Sequence, residues 1–408
     1  MISFIFNPVV SLLIVASHIS GSASLTPVVI LPGDGGCQLE AKLDKPQTVH
    51  FFCSKKSDWF TLWLSVAQLA PKEVDCWSDN IRLVYDESTE SFSNSPGVQT
   101  RVPGYGDTKT IENLDPTLKS SSSYFAPLVQ ALADKGYVRN SSVFGAPYDF
   151  RLGPPSNMEY MVKTVQLIEH AYSLNGNSPV VLVSHSMGCL WTLFILNHQP
   201  QEWKDKFIAA WVPFSGVFGG STNEMELMAS GSNEGIPWLS GIDVRAEQRS
   251  YESNFWLMPN PELWSPDEPL VITPSKNYSA HDYSVFFKDV GYPLGDSIYK
   301  RVDNLTRAIE APGVAVHALY GTDVDTPVAY IYKEDGKWDV TPTKLNGKGD
   351  GTVPLRSLEA CLKWKHEQPQ VVTSKTFAGV DHTDLVSNKG AIDALLSILK
   401  DTSDRIIV

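Results

Sequence analysis

Basic residues are scarce in this chain of 408 residues. It has 33 Lys and Arg against 46 Asp and Glu, so its formal net charge at pH 7 is −13. A protein that binds nucleic acid needs a basic surface to meet the phosphates, and this balance argues against such a partner. The acidity weakly fits an acidic compartment, where carboxylates begin to be neutralised. Because 42% of the residues are hydrophobic, the chain is able to bury a large core.

Beyond its N-terminus, the sequence has no apolar run of the ~18 residues that a membrane span requires. Residues 9–19 are mostly apolar, and small residues follow at 21–23. This pattern predicts a secretory signal peptide over residues 1–24. No Lys or Arg precedes the apolar run, which leaves an uncleaved N-terminal anchor as the alternative.

Cysteine is also rare, and its count is odd. An odd number in an oxidising compartment leaves at least one Cys unpaired within the chain. The five are Cys37, Cys53, Cys76, Cys189 and Cys361. Three N-glycosylation sequons support passage through the secretory pathway, at Asn140, Asn277 and Asn304.

The most informative stretch is residues 180–196. Four apolar residues predict a buried strand, and Ser184-His185-Ser186-Met187-Gly188 follows, ahead of a run that is apolar nearly all round. This order of strand, tight turn and helix, with a serine at the apex of the turn, is that of a nucleophile elbow. The residues two positions before and two positions after the serine must be small, because the turn brings backbone close to backbone. Ser186 is therefore the predicted nucleophile; the alternative is a small residue in an ordinary strand-to-helix turn.

An early Gly-rich turn fits the same chemistry. The strand pattern at 27–31 runs into Pro32-Gly33-Asp34-Gly35-Gly36, where α/β hydrolases place part of the oxyanion hole. Glycines let backbone N–H groups approach a developing negative charge. No Gly-Lys-Ser or Gly-Lys-Thr follows, so a phosphate-binding P-loop is excluded. A plain hairpin remains the alternative.

Alternating strand and helix patterns through the middle of the chain predict an α/β fold with a mostly parallel sheet. We therefore expect an α/β-hydrolase domain over residues 25–408. Residues 215–300 break the alternation and predict a cap or lid insertion, or else an irregular rigid subdomain. Residues 50–80 predict a second, smaller insertion.

The smaller insertion is rich in aromatic residues between Cys53 and Cys76. Trp59, Phe60, Trp63 and Leu64 fall near one face if the segment is a helix, which would let a loop closed by a disulfide dip into a lipid interface. Packing of these side chains on the main core is the alternative.

A serine hydroxyl needs an imidazole to take its proton and a carboxylate to orient that imidazole. In α/β hydrolases the acid and then the histidine follow the serine along the chain. Of the two late histidines, His382 follows a strand pattern, whereas His366 lies in a predicted surface helix. Asp350, in a turn, is the favoured acid, with Asp323 and Asp325 as rivals.

Together these motifs resemble the lecithin–cholesterol acyltransferase-like lipases, and within that family the lysosomal phospholipases, over nearly the whole chain after the signal. The segments that carry the resemblance are residues 32–43, 76–85, 145–151, 184–188, 319–321 and 349–353. The resemblance implies a triad of Ser186, Asp350 and His382, and an oxyanion hole from the backbone N–H groups of Asp34 and Met187. It also implies a lipid-docking role for the Cys53–Cys76 loop and a mobile lid near residues 215–246.

Three departures from the family pattern are notable. The family usually closes a disulfide onto the position of Cys361 from a cysteine that is Ala318 here, so we expect Cys361 to be a free thiol. Cys37 and Cys189 stand where the family typically has Asn, which leads to the hypothesis of a Cys37–Cys189 disulfide; two buried free thiols are the alternative. Asp34 brings a carboxylate to the expected oxyanion hole, and activity should favour acidic pH if that carboxylate works best protonated.

The implied activity is removal of a fatty acyl chain from a glycerophospholipid through a Ser186 acyl-enzyme, with transfer to water or to a lipid alcohol such as a ceramide. The expected partners are a phospholipid membrane surface and a lipid acyl acceptor, with no cofactor or metal, and the chain is expected to act as a monomer in the lysosome or outside the cell. The alternatives are a secreted phosphatidylcholine–sterol acyltransferase and a catalytically silent lipid-binding protein on the same scaffold.

Overall fold

A computed structural model describes residues 25–233, 235–236 and 238–406. The predicted signal peptide lies outside these described residues. The strands are β1 (Val28–Leu31), β2 (Leu39–Asp44), β3 (Lys56–Trp63), β4 (Leu83–Asp86), β5 (Ser91–Asn94), β6 (Val98–Arg101), β7 (Val143–Gly145), β8 (Val180–His185), β9 (Ile208–Phe214), β10 (Val271–Ile272), β11 (Asn277–Tyr278), β12 (Val316–Thr322), β13 (Val324–Ile331), β14 (Thr343–Gly349) and β15 (Val372–Ala378).

Helices connect and cover these strands. The α-helices are α1 (Val74–Ile81), α2 (Lys109–Glu112), α3 (Ala126–Ala133), α4 (Met158–Leu174), α5 (Met187–Asn197), α6 (Gln201–Phe207), α7 (Asn223–Ser230), α8 (Gly241–Gln248), α9 (Glu252–Trp256), α10 (Tyr283–Asp289), α11 (Leu294–Arg307), α12 (Leu355–Leu358) and α13 (Lys389–Ile406). Within the described part of the chain, no helix is both long enough and apolar enough to cross a bilayer.

Six parallel strands form the central sheet, in the order β15-β12-β9-β8-β1-β7. Every residue of β1 and β8 is buried. Strands of a parallel sheet that is covered by helices on both faces are typically near-continuous runs of Val, Ile and Leu, and these two strands fit that pattern. Leu31, the last residue of β1, pairs with Ser184, the last residue but one of β8. The Gly-rich turn after β1 and the serine turn after β8 therefore leave the same edge of the sheet side by side, which confirms the predicted α/β-hydrolase fold.

The segment between Cys53 and Cys76 differs from its prediction. A disulfide joins the two cysteines as expected, but residues 56–63 form β3, an edge strand paired with β2, rather than a helix. Exposed Lys56 and Asp58 alternate with half-buried Ser57 and Trp59, which suits a strand that has one face towards solvent. The helical interpretation of this segment was wrong because a short aromatic run fits either period.

The predicted cap, residues 215–300, folds as five helices and two short strands, α7 to α11 with β10 and β11. Strand β10 pairs in parallel with β13, so this segment joins a second sheet in the order β11-β10-β13-β14. Seven of the eight residues of α7 are buried, all except Asn223. The boundaries of the segment as a lid stay a prediction.

Gly188 is predicted to be irreplaceable in this fold. A Cβ there would lie 2.3 Å from the Pro32 carbonyl oxygen and 2.5 Å from that of Leu31, both backbone atoms that have no room to retreat. Gly188→Ala should lower the free energy of unfolding by about 1–3 kcal/mol, the usual cost of overpacking, as measured by urea denaturation. Gly153→Ala is the matched control, because its Cβ meets Glu252 at an ordinary 3.4 Å. Equal unfolding midpoints for the two variants would contradict the prediction.

Candidate active site

Ser186 stands between β8 and α5 with φ 54° and ψ −126°, a conformation that a residue with a side chain rarely adopts. Its backbone N–H donates to the Phe214 carbonyl at 3.1 Å, which ties the turn to the end of β9. Ser184, the small residue two positions before the apex, is fully buried, and its hydroxyl accepts a hydrogen bond from the Trp211 indole at 2.8 Å. The predicted elbow is therefore present, and the extra hydroxyl has a partner of its own.

The structure brings the three residues of the expected triad together. The His382 Nε2 atom lies 2.9 Å from Ser186 Oγ, and His382 Nδ1 lies 2.7 Å from Asp350 Oδ2. Asp350 is fully buried, and its other carboxylate oxygen accepts the Val353 N–H at 2.8 Å. A hydroxyl, an imidazole and a buried carboxylate in this order are the arrangement in which the imidazole removes the hydroxyl proton while the carboxylate holds its tautomer.

The rival residues lie elsewhere. Asp323 and Asp325 are exposed beside the start of β13, and His366 is exposed at the end of a 3₁₀-helix. The sequence could rank these candidates only by position; the distances distinguish them.

Charge around the triad favours the protonated imidazole. Burial alone would lower the pKa of His382, but the charge and hydrogen bond of Asp350, together with the nearby charge of Asp381, outweigh it and raise that pKa. For Asp350, burial alone would raise the pKa, whereas the His382 charge and hydrogen bond and the Val353 N–H lower it overall. The pair is thus built to stabilise the imidazolium that forms when Ser186 loses its proton.

Three aromatic side chains hold the Gly-rich turn after β1. The Trp63 indole donates to the Gly35 carbonyl at 2.6 Å, the Tyr148 hydroxyl donates to the Pro32 carbonyl at 2.9 Å, and the Tyr124 oxygen accepts the Gly33 N–H at 3.1 Å. A Cβ on Gly33 would approach Ser186 Cβ to 2.8 Å, so the turn lies directly against the nucleophile.

The two expected oxyanion donors occupy suitable places. Asp34 follows Gly33 in the turn, and Met187 is the first residue of α5, where helix geometry leaves the N–H without an intrahelical partner. The Gly33 N–H is engaged by Tyr124. The oxyanion role of Asp34 and Met187 stays a prediction.

The hypothesis of a Cys37–Cys189 disulfide was wrong. Both residues are free, buried thiols, and each has a different partner: Cys37 donates to the Tyr148 carbonyl at 3.0 Å, while Cys189 Sγ lies 3.2 Å from Ser184 Oγ. Burial raises the pKa of Cys37 to about 12 and also raises that of Cys189, so neither is a reactive thiolate. Cys361 is likewise a buried free thiol, as expected.

The expected docking residues are less exposed than their sequence implied. Phe60, Trp63 and Leu64 are half-buried and pack against the core, and the Arg101 guanidinium covers the Trp59 ring at 4.3 Å. The exposed aromatics of this insertion lie just before Cys53 instead.

Those aromatics are Phe51 and Phe52, 100% and 49% exposed, at the tip of a turn closed by the Cys53 N–H on the His50 carbonyl. Sequence reasoning missed this pair because two adjacent aromatics show no periodicity.

The three sequon asparagines, Asn140, Asn277 and Asn304, are all exposed. In the part of the chain that the structure describes, no group of three His, Cys, Asp or Glu side chains is arranged to hold a metal ion.

Comparison with known proteins agrees with this geometry. The family model described as Lecithin:cholesterol acyltransferase matches residues 59–305 and 299–389. The chain belongs to this family. Bovine lysosomal phospholipase A and acyltransferase is 43% identical to this family member over 389 residues, which cover 95% of each chain. Mouse phosphatidylcholine-sterol acyltransferase is 40% identical over 374 residues, covering 91% of this chain and 85% of the mouse protein.

A solved structure with low sequence identity has a similar fold. A chain in the crystal structure of the Tle4–Tli4 complex aligns over 92% of this family member and 98% of its own length with a TM-score of 0.56. At 15% sequence identity, this match speaks for the fold alone.

The charge of Asp381 should affect the pH dependence of catalysis. Asp381→Asn removes one of the charges that raise the pKa of His382 and leaves the triad in place, so that pKa should fall. The acidic limb of kcat/KM, which reports the free enzyme's base, should then move to lower pH. A pH profile with a soluble ester measures it. Asp393→Asn is the control, because that exposed carboxylate pairs with exposed Lys389 on helix α13. An unmoved limb, or one at higher pH, would contradict the assignment.

Proposed function

We propose that the chain is a serine phospholipase and transacylase, which removes a fatty acyl group from a glycerophospholipid and passes it to water or to a lipid alcohol. The observation that carries the proposal is the hydrogen-bonded series Ser186–His382–Asp350 in a chain 43% identical to a lysosomal phospholipase A and acyltransferase.

The geometry supports a two-step route. Ser186 Oγ attacks the ester carbonyl carbon as His382 Nε2 takes its proton, and the N–H groups of Asp34 and Met187 stabilise the tetrahedral oxyanion. Collapse breaks the ester bond, and His382 returns the proton to the departing lysophospholipid. Water or a lipid hydroxyl then attacks the acyl-enzyme by the same steps in reverse. Loss of one oxyanion donor would raise the barrier by about 3 kcal/mol.

The insertion closed by Cys53 and Cys76 loads the enzyme onto lipid through the turn at Phe51 and Phe52. Exposed aromatic side chains favour the interface between headgroups and acyl chains. Lys55 and Lys56 come three and four residues after Phe52 and are exposed, so their positive charges would attract anionic lipid headgroups. In this proposal the half-buried residues do not enter the lipid themselves; they are Trp59, Phe60, Trp63 and Leu64.

A lysosomal or extracellular location follows from the same proposal. The Cys53–Cys76 disulfide and the exposed sequons suit the oxidising secretory pathway. One relative is lysosomal by name, and the mouse sterol acyltransferase supports the second candidate activity, transfer to a sterol.

The main test is release of fatty acid from phosphatidylcholine vesicles, with and without a short-chain ceramide. We expect release by the wild type, diversion of the acyl group to acylceramide when ceramide is present, and no product with Ser186→Ala. Mass spectrometry of the extracted lipids measures both products.

Other outcomes separate the rivals. Transfer to cholesterol but not to ceramide would favour the sterol acyltransferase. If the wild type and Ser186→Ala gave the same amounts of both products, the triad would be inactive and a lipid-binding protein would be favoured.

The docking turn gives a second prediction. Phe51→Ser/Phe52→Ser should weaken binding to anionic vesicles by roughly tenfold or more, because burying one Phe side chain contributes about 1.5–3 kcal/mol. Vesicle sedimentation measures it, and hydrolysis of a soluble ester should be unchanged. Val162→Ser/Leu174→Ser removes two similarly exposed apolar side chains from helix α4 and serves as the control. Equal binding by both double variants would contradict the role of the turn.

A further inference from the structure

Two buried side chains outside the triad connect the Gly-rich turn to the loop that carries His382. The Tyr124 oxygen accepts the Gly33 N–H at 3.1 Å and lies 2.5 Å from His185 Nδ1. The His185 Nε2 atom lies 3.0 Å from the backbone carbonyl oxygen of His382. An unbroken series of three hydrogen bonds thus runs from one side of Ser186 to the other.

The chemistry of the end groups fixes the direction of each hydrogen bond. A carbonyl oxygen only accepts, so His185 must carry its proton on Nε2 and donate to His382. A neutral imidazole then accepts at Nδ1, so the Tyr124 hydroxyl donates there and its lone pair is left for the Gly33 N–H. One tautomer and one hydroxyl orientation satisfy all three bonds.

The series Gly33–Tyr124–His185–His382, called the connection below, is buried away from water. His185 is 3% exposed and Tyr124 is 5% exposed. Burial first, and the nearby His382 second, lower the pKa of His185 to about 3, while burial raises the pKa of Tyr124. The His185 and His382 rings pack with centroids 4.7 Å apart. We therefore expect both side chains to stay uncharged from acidic to neutral pH.

We propose that Tyr124 and His185 are positioning residues that hold the oxyanion turn in register with the catalytic base. The inference rests on the proposed function, since it concerns the same triad. The turn follows β1 and His382 follows β15, strands at distant places in the sheet. A misplacement of about 1 Å between reacting groups costs on the order of 10²-fold in rate. Hydrogen bonds that join the two loops directly limit the displacement of one loop relative to the other, which the sheet alone does not.

Tyr124→Phe removes only the hydroxyl at the centre of the connection. We expect kcat for p-nitrophenyl butyrate to fall roughly tenfold or more while KM stays unchanged, because alignment rather than binding is lost. The inhibition constant for a trifluoromethyl ketone, which adds to Ser186 as a mimic of the tetrahedral intermediate, should rise by a similar factor.

Variants at His185 give a graded version of the test. His185→Gln keeps an N–H that can donate to the His382 carbonyl, whereas His185→Phe keeps a ring with neither nitrogen. The expected order of kcat is wild type, His185→Gln, then His185→Phe.

Tyr160→Phe is the matched control. Tyr160 is also buried, and its hydroxyl donates to the Ala146 carbonyl at 2.9 Å, so it takes no part in the hydrogen bonds between Gly33 and His382. It should lower thermal stability much as Tyr124→Phe does, without a change in kcat or in ketone affinity.

Equal kcat and equal ketone affinity in Tyr124→Phe and Tyr160→Phe would show that the connection serves packing only, and the inference would be overturned. If Tyr124→Phe does not fold, ¹⁵N NMR of histidine-labelled wild type decides instead. The inference expects His185 to stay neutral with its proton on Nε2 from pH 4 to pH 8, and a proton on Nδ1 would overturn it. The proposed function has a separate test. It would be contradicted by a wild type that neither cleaves esters nor reacts with a fluorophosphonate at Ser186, and the NMR result does not depend on that outcome.

Discussion

The site depends on a close approach between two backbones, that of the turn after β8 and that at the end of β1. Gly188 lies against the carbonyls of Leu31 and Pro32, with no space for a Cβ. This contact presents Ser186 at a positive φ and places the Gly-rich turn against it. The parallel pairing of Leu31 with Ser184 makes the approach possible, because it brings the ends of the two strands within one residue of the same level of the sheet. The Ser186–His382–Asp350 series, the Gly-rich turn and the Tyr124–His185 connection are all arranged around this contact.

Much of this was predictable because the determinants are local or follow chain order. Small residues around Ser186, an apolar strand before it and an apolar helix after it specify the elbow without any knowledge of the rest. Asp350 and His382 lie in turns that follow β14 and β15, in the order that α/β hydrolases require.

Other features depend on contacts that no pattern along the chain reveals. Cys37 and Cys189 were expected to meet because both flank the site, yet each thiol turns to a different partner. Trp63 was expected at a lipid surface, but its indole instead anchors the Gly35 carbonyl. The elbow motif gives no role to His185, and Tyr124 belongs to no motif. Their hydrogen bonds become visible only when the Gly-rich turn, the segment before α3 and the His382 loop are in place.

The charges at the site act in opposite directions on its pH dependence. The carboxylates of Asp350 and Asp381 raise the pKa of His382, which disfavours a neutral base in acid. A carboxylate at Asp34 would oppose the oxyanion until it is protonated, which favours acid. The neutral His185 beside the base adds no charge of its own at these pH values. The raised pKa of His382 rests on observed contacts with Asp350, whereas the effect of Asp34 stays a prediction.

The central claim is that Ser186 carries the acyl group between donor and acceptor. Rapid acid quenching of the enzyme with phosphatidylcholine vesicles, followed by mass spectrometry of its peptides, tests this most directly. The account predicts that the peptide containing Ser186 gains the mass of a fatty acyl ester within the first turnover, and that added ceramide shortens the lifetime of this ester. Release of fatty acid with no ester on Ser186 at any time point would contradict the account.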